Sequence, residues 1–178
     1  MKKVAMIPAR YAATRFPAKL MQLLGNKTVI RHTYDNTVAT ELFDEVWVVT
    51  DSTIIYDEIV NNGGNAIMSI NPHESGSDRI AEAVENLNFD IVVNVQGDEP
   101  FIGPTLIEEL VNSFENSEIS MASAMSRIND VKDLQAVLVE MEPTGGIGFF
   151  GFGVGADAKD SNMNAGYLGT GRLGLPDR

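Results

Sequence analysis

Short apolar runs alternate with helical patterns along the first 125 residues, and this alternation limits the possible folds more than any other feature. Runs rich in β-branched residues are typical of strands, whereas apolar residues recurring every three or four positions are typical of amphipathic helices. The predicted strands cover residues 4–7, 45–50, 65–70, 90–95 and 119–125. The predicted helices cover residues 28–40, 53–61, 78–87 and a segment that begins at Pro104. The alternation predicts βαβ units, and hence an α/β fold with a Rossmann-like, mostly parallel sheet and helices on both faces.

Individual residues suggest where these elements begin and end. Pro8 is expected to stop the first strand, and Ser77 to cap the helix over 78–87. Asp51 and Ser52 offer an N-cap for the second helix. The run over 90–95 is apolar enough to be buried on both faces of the sheet. The buried side of the last helix is predicted to hold Leu106, Ile107, Leu110, Val111 and Phe114.

The periodic pattern fails from about residue 136. Glycine recurs throughout residues 136–178, and no period of 2 or 3.6 persists there. The sequence therefore predicts an α/β domain over residues 1–135. The Gly-rich segment 136–178 is predicted to be a loosely ordered extension whose phenylalanines dock on that domain.

Positive charge is concentrated near the N-terminus of an otherwise acidic chain. The formal net charge is −12, yet seven of the 13 Lys and Arg residues lie in the first 31 positions, and no Asp or Glu precedes Asp35. Three of these cations, Arg10, Arg15 and Lys19, follow the first predicted strand in a turn-rich segment. The simpler interpretation is a solvated surface turn, but the acid-free context favours a local site for a polyphosphate.

Composition excludes several other partners and sites. The acidic balance argues against nucleic acid and against an anionic membrane surface, because both require a basic footprint. The absence of cysteine rules out disulfides, a thiolate nucleophile and Cys-ligated zinc, and is compatible with a reducing cytoplasm. No signal-peptide apolar region and no run of roughly 18 to 20 apolar residues is present, so we expect a cytoplasmic protein without a membrane segment.

The polar clusters that carry the candidate chemistry each follow a predicted strand. In a parallel sheet ligands bind beyond the carboxyl ends of the strands, so these clusters are expected to meet at one rim. Neither the P-loop fingerprint nor the dinucleotide-binding glycine pattern is present, so a nucleotide must be held by backbone N–H groups and the N-terminal cations. The clusters are residues 8–19, 50–51, 73–79 and 96–100.

Four residues in the later clusters are candidates for contact with a ligand. Asp98, at the mouth of the sheet, is a suitable Mg²⁺ ligand, although such an aspartate also caps helices or turns. Gln96 can contact a sugar hydroxyl or simply satisfy neighbouring loops. His73 is an isolated histidine, a type that is more often structural than catalytic. Arg79 begins a helix, where the dipole disfavours a cation, so we expect it to reach a partner anion or a base carbonyl.

Three motifs together resemble a known family. Ile-Pro-Ala-Arg-Tyr-Ala-Ala-Thr-Arg-Phe-Pro-Ala-Lys (7–19), His-Glu-Ser-Gly-Ser-Asp-Arg (73–79) and Asn-Val-Gln-Gly-Asp-Glu-Pro (94–100) resemble those of the 3-deoxy-manno-octulosonate (Kdo) cytidylyltransferases of lipopolysaccharide biosynthesis. The resemblance covers about residues 1–135. It implies a nucleotide-diphospho-sugar transferase fold and an Mg²⁺-dependent enzyme that couples CTP to Kdo, releases pyrophosphate and works as a homodimer.

The resemblance also implies roles for particular residues. The family's catalytic groups correspond to Arg10, Arg15, Lys19 and Asp98, with Asp98 as the metal ligand. Its nucleotide-binding residues correspond to Pro8, Ala9, Arg10, Thr14, Lys19 and Arg79, of which Arg79 binds the base. Its sugar-contacting glutamine corresponds to Gln96, and His73, in the second motif, is a further candidate for substrate binding.

The chain departs from the family in two respects. Ala13 and Ala18 stand where Ser and Gly are common, and residues 136–178 do not resemble the family's later part. The alternatives that remain are a nucleotide-binding but catalytically incomplete module, a cytidylyltransferase for another sugar acid, and a purely structural interaction domain.

Overall fold

The structure is a computed structural model that describes residues 1–12, 18–73, 75–85, 87–116 and 118–124. The chain divides into two compact units, residues 1–108 and 109–178, and the sheet belongs to the first. A 3₁₀ turn covers Lys19–Met21. The strands are β1 (Lys3–Ala9), β2 (Leu23–Leu24), β3 (Lys27–Thr28), β4 (Glu45–Thr50), β5 (Ala66–Met68) and β6 (Ile91–Asn94). The helices are α1 (Val29–Ala39), α2 (Thr53–Val60), α3 (Gly76–Val84) and α4 (Pro104–Ser113).

The main sheet has four parallel strands in the order β5-β4-β1-β6, so the predicted parallel sheet is confirmed. The chain passes from β1 to β4 and β5 on one side and then returns to place β6 on the other side of β1. Strand order therefore reverses between β1 and β6. In open α/β sheets this topological switch point opens a crevice at the carboxyl ends of the strands, which is where ligands bind.

Helices cover both faces of the sheet, as predicted. Alternate residues of β1 point to opposite faces, because the side-chain period of a strand is two. Ala5 and Ile7 pack in a core with Ile30 of α1 and Ile59 of α2. On the opposite face Val4 and Met6 pack in a smaller core with Ile80 of α3, together with other residues of that helix. Val4 to Ile7 are all 0% exposed, so β1 is the centre of the domain.

The prediction that Pro8 ends the first strand is wrong. β1 continues to Ala9, and Pro8 is paired with Val49 of β4. The carbonyl of Met6 accepts a hydrogen bond from the N–H of Val95, so the backbone of Met6 faces β6. Pro8, two residues further on, faces the same side, beyond the last β6 pairing at Met6–Asn94. Its missing N–H therefore leaves the ladder to β4 intact.

The start of α3 also differs from the prediction. The helix begins at Gly76 rather than Asp78, and its N-cap is Ser75 rather than Ser77. The Ser75 hydroxyl accepts a hydrogen bond from the Asp78 N–H at 3.1 Å, while the Asp78 carboxylate accepts one from the Ser75 N–H at 3.2 Å. This reciprocal capping box satisfies two N–H groups at once, which favours the earlier start. At the start of α2, Ser52 occupies the N-cap position, but its side chain makes no capping hydrogen bond.

The later predicted elements agree only in part. Strand β6 is shorter than predicted and is not buried on both faces, because Val92 is 40% exposed. Residues 119–124 form no strand, and residue 125, the end of that predicted strand, lies outside the described residues. In α4, Ile107 and Val111 are buried as predicted, but Leu106 is 41% exposed. The Gly-rich segment 136–178 lies outside the described residues, so its prediction is untested.

Within the described ranges, no helix has both the length and the apolar character that crossing a membrane requires.

Candidate functional site

The crevice between β1 and β6 brings together two charged residues from distant parts of the chain. The Nζ atom of Lys19 lies 2.7 Å from Oδ2 of Asp98. Lys19 belongs to the 3₁₀ turn after β1, whereas Asp98 belongs to the loop after β6. Both side chains are about half exposed, 52% and 44%, so the pair lies at the surface of the rim where a ligand can reach it. The predicted proximity of the basic loop and Asp98 is confirmed; their functional roles stay predictions.

Close packing at Gly97 holds the Asp98 loop against β1. A Cβ atom at Gly97 would lie 3.0 Å from the carbonyl oxygen of Pro8 and 3.3 Å from a methyl carbon of Leu20. On the other side, the buried hydroxyl of Thr33 donates a hydrogen bond to the Gly97 carbonyl at 2.9 Å. These contacts fix the backbone directly before Asp98. No local pattern identifies Thr33 as a support for this loop, because its bond to Gly97 arises from tertiary packing.

The loops after β1 and β5 are joined through Arg10. Its Nη2 donates a hydrogen bond to the backbone carbonyl of His73 at 2.9 Å. The ring Nε2 of His73 in turn contacts Glu82 on α3. His73 therefore connects two elements at the rim, while its predicted contact with substrate stays a prediction.

Glu82, on α3, anchors the same β5–α3 loop through the backbone of that loop. Its carboxylate accepts hydrogen bonds from the N–H groups of Ile70, at 2.8 Å, and Asn71, at 3.4 Å. The N–H of Ile70 and the ring of His73 hold the pKa of Glu82 below its ordinary value of 4.5, because hydrogen bonds to a carboxylate favour its charged form. Within the capping box of α3, the Ser75 hydroxyl lowers the pKa of Asp78 in the same way.

Pro8 and Ala9 form the end of β1, where the rim loops converge. The ring of Pro8 packs against the start of α3, since a Cβ atom at Gly76 would lie 3.0 Å from its Cγ. The carbonyl oxygen of Pro8 also lies close to Gly97. Pro8 therefore contacts both the start of α3 and the loop after β6. The predicted nucleotide residue Thr14 and the predicted catalytic residue Arg15 lie outside the described residues.

Arg79 is held in the interior by two side chains from the ends of β4 and β5. Its Nη2 donates to Oδ2 of Asp51 at 2.7 Å, and its Nη1 contacts the hydroxyl of Ser69. The arginine side chain is only 1% exposed, and its Nε is buried without a hydrogen-bond partner in the described part of the chain. The predicted partner anion of Arg79 is thus Asp51, which was expected as a helix cap and as part of the rim cluster 50–51. Contact between Arg79 and a base stays a prediction.

Gln96 is half-buried and directed toward its own strand. Its Nε2 donates to the Asn94 side chain at 3.1 Å. Its proposed contact with a sugar is therefore untested.

The donor set at the rim fits Mg²⁺ only in combination with a phosphorylated ligand. Among the described residues, no group of three or more His, Asp or Glu side chains is placed to hold a metal ion. Asp98 supplies a single accessible carboxylate, and its neighbour in space is the ammonium of Lys19. Mg²⁺ commonly takes one or two carboxylates and completes its shell with phosphate oxygens and water. Asp98 can serve as that protein ligand.

The sheet and the charged crevice at its switch point define the class of the protein as an α/β protein with a nucleotidyltransferase-like fold. A sequence model described as "Cytidylyltransferase" matches residues 4–159, which is most of the chain. The chain therefore belongs to the cytidylyltransferase family. This match extends past residue 135, into the segment for which the motifs gave no resemblance.

Relatives with curated names point to the same family. The chain is 61% identical over 137 residues to a 3-deoxy-manno-octulosonate cytidylyltransferase of Flavobacterium johnsoniae, an alignment that covers 75% of this chain and 56% of the relative. It is 59% identical over 134 residues to the enzyme of the same name from Christiangramia forsetii, covering 74% of this chain and 54% of the relative. The chain thus spans about half the length of the curated relatives it matches.

Solved structures agree with this assignment of the fold. The structure of a CMP:2-keto-3-deoxy-manno-octonic acid synthetase complexed with CTP is similar with a TM-score of 0.66 and 36% identity, over 70% of this chain and 52% of that one. A cytidylyltransferase from Leptospira borgpetersenii is similar in fold, with a TM-score of 0.59 and 22% identity, over 70% of this chain and 57% of that one.

Proposed function

We propose that this chain is the nucleotide-binding part of a cytidylyltransferase that couples CTP to Kdo, giving CMP-Kdo and pyrophosphate for lipopolysaccharide biosynthesis. The observation that carries the proposal is the Lys19–Asp98 pair at the topological switch point, in a chain of the cytidylyltransferase family. The names of the relatives and the CTP complex of the similar structure support the choice of nucleotide and sugar.

The Lys19–Asp98 pair suits an exchange of partners on binding. An exposed ion pair contributes only about 0–1 kcal/mol to stability, so it separates easily. In the proposed complex the ammonium of Lys19 turns to a phosphate oxygen, and the carboxylate of Asp98 binds Mg²⁺. Mg²⁺ held there would supply charge neutralisation for the phosphates.

The proposed reaction is an in-line displacement at the α-phosphorus of CTP. The anomeric hydroxyl oxygen of Kdo forms a bond to this phosphorus, and the bond to the oxygen that bridges to the β-phosphate breaks. Pyrophosphate leaves with that oxygen, and the hydroxyl proton passes to solvent. Arg10, Arg15 and Lys19 stabilise the negative charge that develops on the leaving group. Arg10 has donors beyond the one it gives to the His73 carbonyl, since a guanidinium carries five. Positioning and electrostatics thus provide most of the acceleration.

The remaining assignments follow from the resemblance and belong to the same proposal. Pro8, Ala9 and Thr14 hold the nucleotide, Arg79 belongs to the site of its base, and His73 and Gln96 contact the sugar acid. The protein acts as a homodimer in the cytoplasm, and its Gly-rich segment 136–178 is a region distinct from the nucleotide-binding domain of residues 1–135.

A catalytically incomplete, nucleotide-binding module is the second candidate, because the chain spans about half of its relatives' length. A pyrophosphate-release assay with CTP, Mg²⁺ and Kdo separates the two candidates. Release of pyrophosphate supports the enzyme. Thermal protection by CTP without release supports the incomplete module, and no effect of CTP would overturn both. Replacing Kdo with sialic acid or an 8-amino analogue of Kdo identifies a cytidylyltransferase for another sugar acid.

A further inference from the structure

Asp51 and Arg79 form an ion pair of which only one member is accessible. The carboxylate and the guanidinium are 2.7 Å apart, but the Asp51 side chain is 47% exposed whereas that of Arg79 is 1% exposed. A ligand approaching this part of the rim can therefore touch Asp51, while Arg79 lies behind it.

The position of Asp51 places it next to the loop that is proposed to hold the phosphates. Thr50, the last residue of β4, pairs with Ala9 of β1, so Asp51 and Arg10 leave the sheet side by side. Lys19 and Asp98 lie on the other flank of β1, between β1 and β6. Two strand spacings separate β6 from β4, or roughly 10 Å. A nucleotide with its phosphates over the β1–β6 crevice can thus extend its nucleoside end over β4 and Asp51.

The chemistry of the exposed carboxylate selects one edge of a base. An ionised carboxylate only accepts hydrogen bonds, and Arg79 orients Asp51 through Oδ2. Within the described ranges Oδ1 has no hydrogen-bond partner, so it can accept from a ligand. Cytosine carries a 4-amino donor where uracil carries an oxygen acceptor, and Asp or Glu is a suitable acceptor for that amino group.

We propose that Asp51 is a specificity-determining residue that accepts a hydrogen bond from the 4-amino group of cytosine, and that Arg79 is the positioning residue that holds it in place. The inference rests on the proposed function, since it requires the nucleotide to bind at this rim. This arrangement differs from the expectation from the sequence, in which Arg79 itself contacts the base.

The experiment compares the binding of CTP and UTP to the full chain and to Asp51→Asn by calorimetric titration. Asparagine keeps an oxygen that accepts from Arg79, but its amide nitrogen then faces the base and offers a donor that matches uracil. Wild type is expected to bind CTP more tightly than UTP, and Asp51→Asn is expected to reduce this preference by at least about tenfold. Asp57→Asn removes an exposed carboxylate from neighbouring α2 and should leave the preference unchanged.

Three results would go against the inference. An unchanged preference in folded Asp51→Asn would make Asp51 purely structural. An equal loss of affinity for CTP and UTP would indicate contact with the ribose or phosphates instead. If wild type bound neither nucleotide, the proposed function would be wrong, and the inference, which depends on nucleotide binding, would be wrong with it.

Loss of the Asp51 charge leaves a buried guanidinium uncompensated, so the single variant can fail to fold. The double variant Asp51→Asn/Arg79→Gln removes both charges together, and the same loss of preference is expected from it. A double variant that still prefers CTP as wild type does would overturn the inference.

Discussion

Lys19 and Asp98, 79 positions apart in the sequence, are joined by a 2.7 Å contact across the crevice between β1 and β6. The contact depends on the strand order, which places the loops after these two strands next to each other. It pairs the cation proposed to bind the leaving pyrophosphate with the acid proposed to hold the metal.

Asp98→Asn is expected to abolish Mg²⁺-dependent pyrophosphate release, because a neutral amide is a poor ligand for a hard cation. The fold should remain, since the pair is exposed and contributes at most about 1 kcal/mol. Enzymatic detection of pyrophosphate and a thermal unfolding curve measure the two effects. Glu99→Gln is the control, as it neutralises the next residue without touching Lys19. Activity retained in Asp98→Asn would remove Asp98 from the mechanism.

Gly97→Ala is expected to destabilise the protein by about 1–3 kcal/mol and to weaken CTP binding. The added methyl would lie 3.0 Å from the Pro8 carbonyl oxygen and 3.2 Å from a methyl carbon of Ile30, so the loop that carries Asp98 must shift. Urea unfolding and CTP titration test this. Gly103→Ala, where nothing lies within 4 Å, should change neither quantity. If Gly97→Ala were as stable as wild type, the loop would accommodate the added methyl group, and the prediction would be wrong.

Thr33→Val and Thr37→Val form a matched pair. Both residues are 0% exposed and donate to a carbonyl one turn earlier in α1, but only Thr33 also donates to Gly97. Each variant is expected to lose about 1 kcal/mol of stability. Only Thr33→Val should raise the KM for CTP, and Thr33→Ser should restore it. Equal KM values in the two valine variants would confine Thr33 to a role in stability.

Ala18→Gly is expected to stabilise the protein by about 0.5–1 kcal/mol. Ala18 precedes the 3₁₀ turn with φ 57° and ψ 26°, a left-handed conformation that costs a residue with a Cβ about 1–2 kcal/mol. The greater freedom of glycine in the unfolded chain offsets part of that gain. Thermal unfolding measures the difference. Ala81→Gly, at an exposed position inside α3, should instead lose about 1 kcal/mol, and a loss at both positions would contradict the strain at Ala18.

Glu82→Gln should remove part of the acid sensitivity of the fold. The folded state lowers the pKa of Glu82 below 4.5, so its stabilising contribution is complete above that value and is lost as the pH falls through the folded pKa. The variant is therefore expected to melt below wild type at neutral pH, with a difference that shrinks below pH 4.5. Melting curves across this range test this, with Glu85→Gln, at the C-cap of the same helix, as the control. A difference independent of pH would exclude this linkage.

Local patterns predicted the four strands of the main sheet, but not the short strands β2 and β3. Four of the predicted strands correspond to β1, β4, β5 and β6, because β-branched and helical periodicities act within one element. The errors occur where a distant partner decides the outcome. Pro8 remains in its strand because β6 ends before reaching it, and β6 is partly exposed because it lies at an edge of the described sheet.

The sequence by itself determined the alternation of elements, the acid-free cationic segment and the three motifs of the family. Only the tertiary structure decided that Lys19 meets Asp98, that Thr33 supports the loop before Asp98, and that Asp51 rather than Arg79 faces outward. The physical reason is that propensity and charge composition are properties of short segments. Burial and ion pairing depend instead on which strands become neighbours.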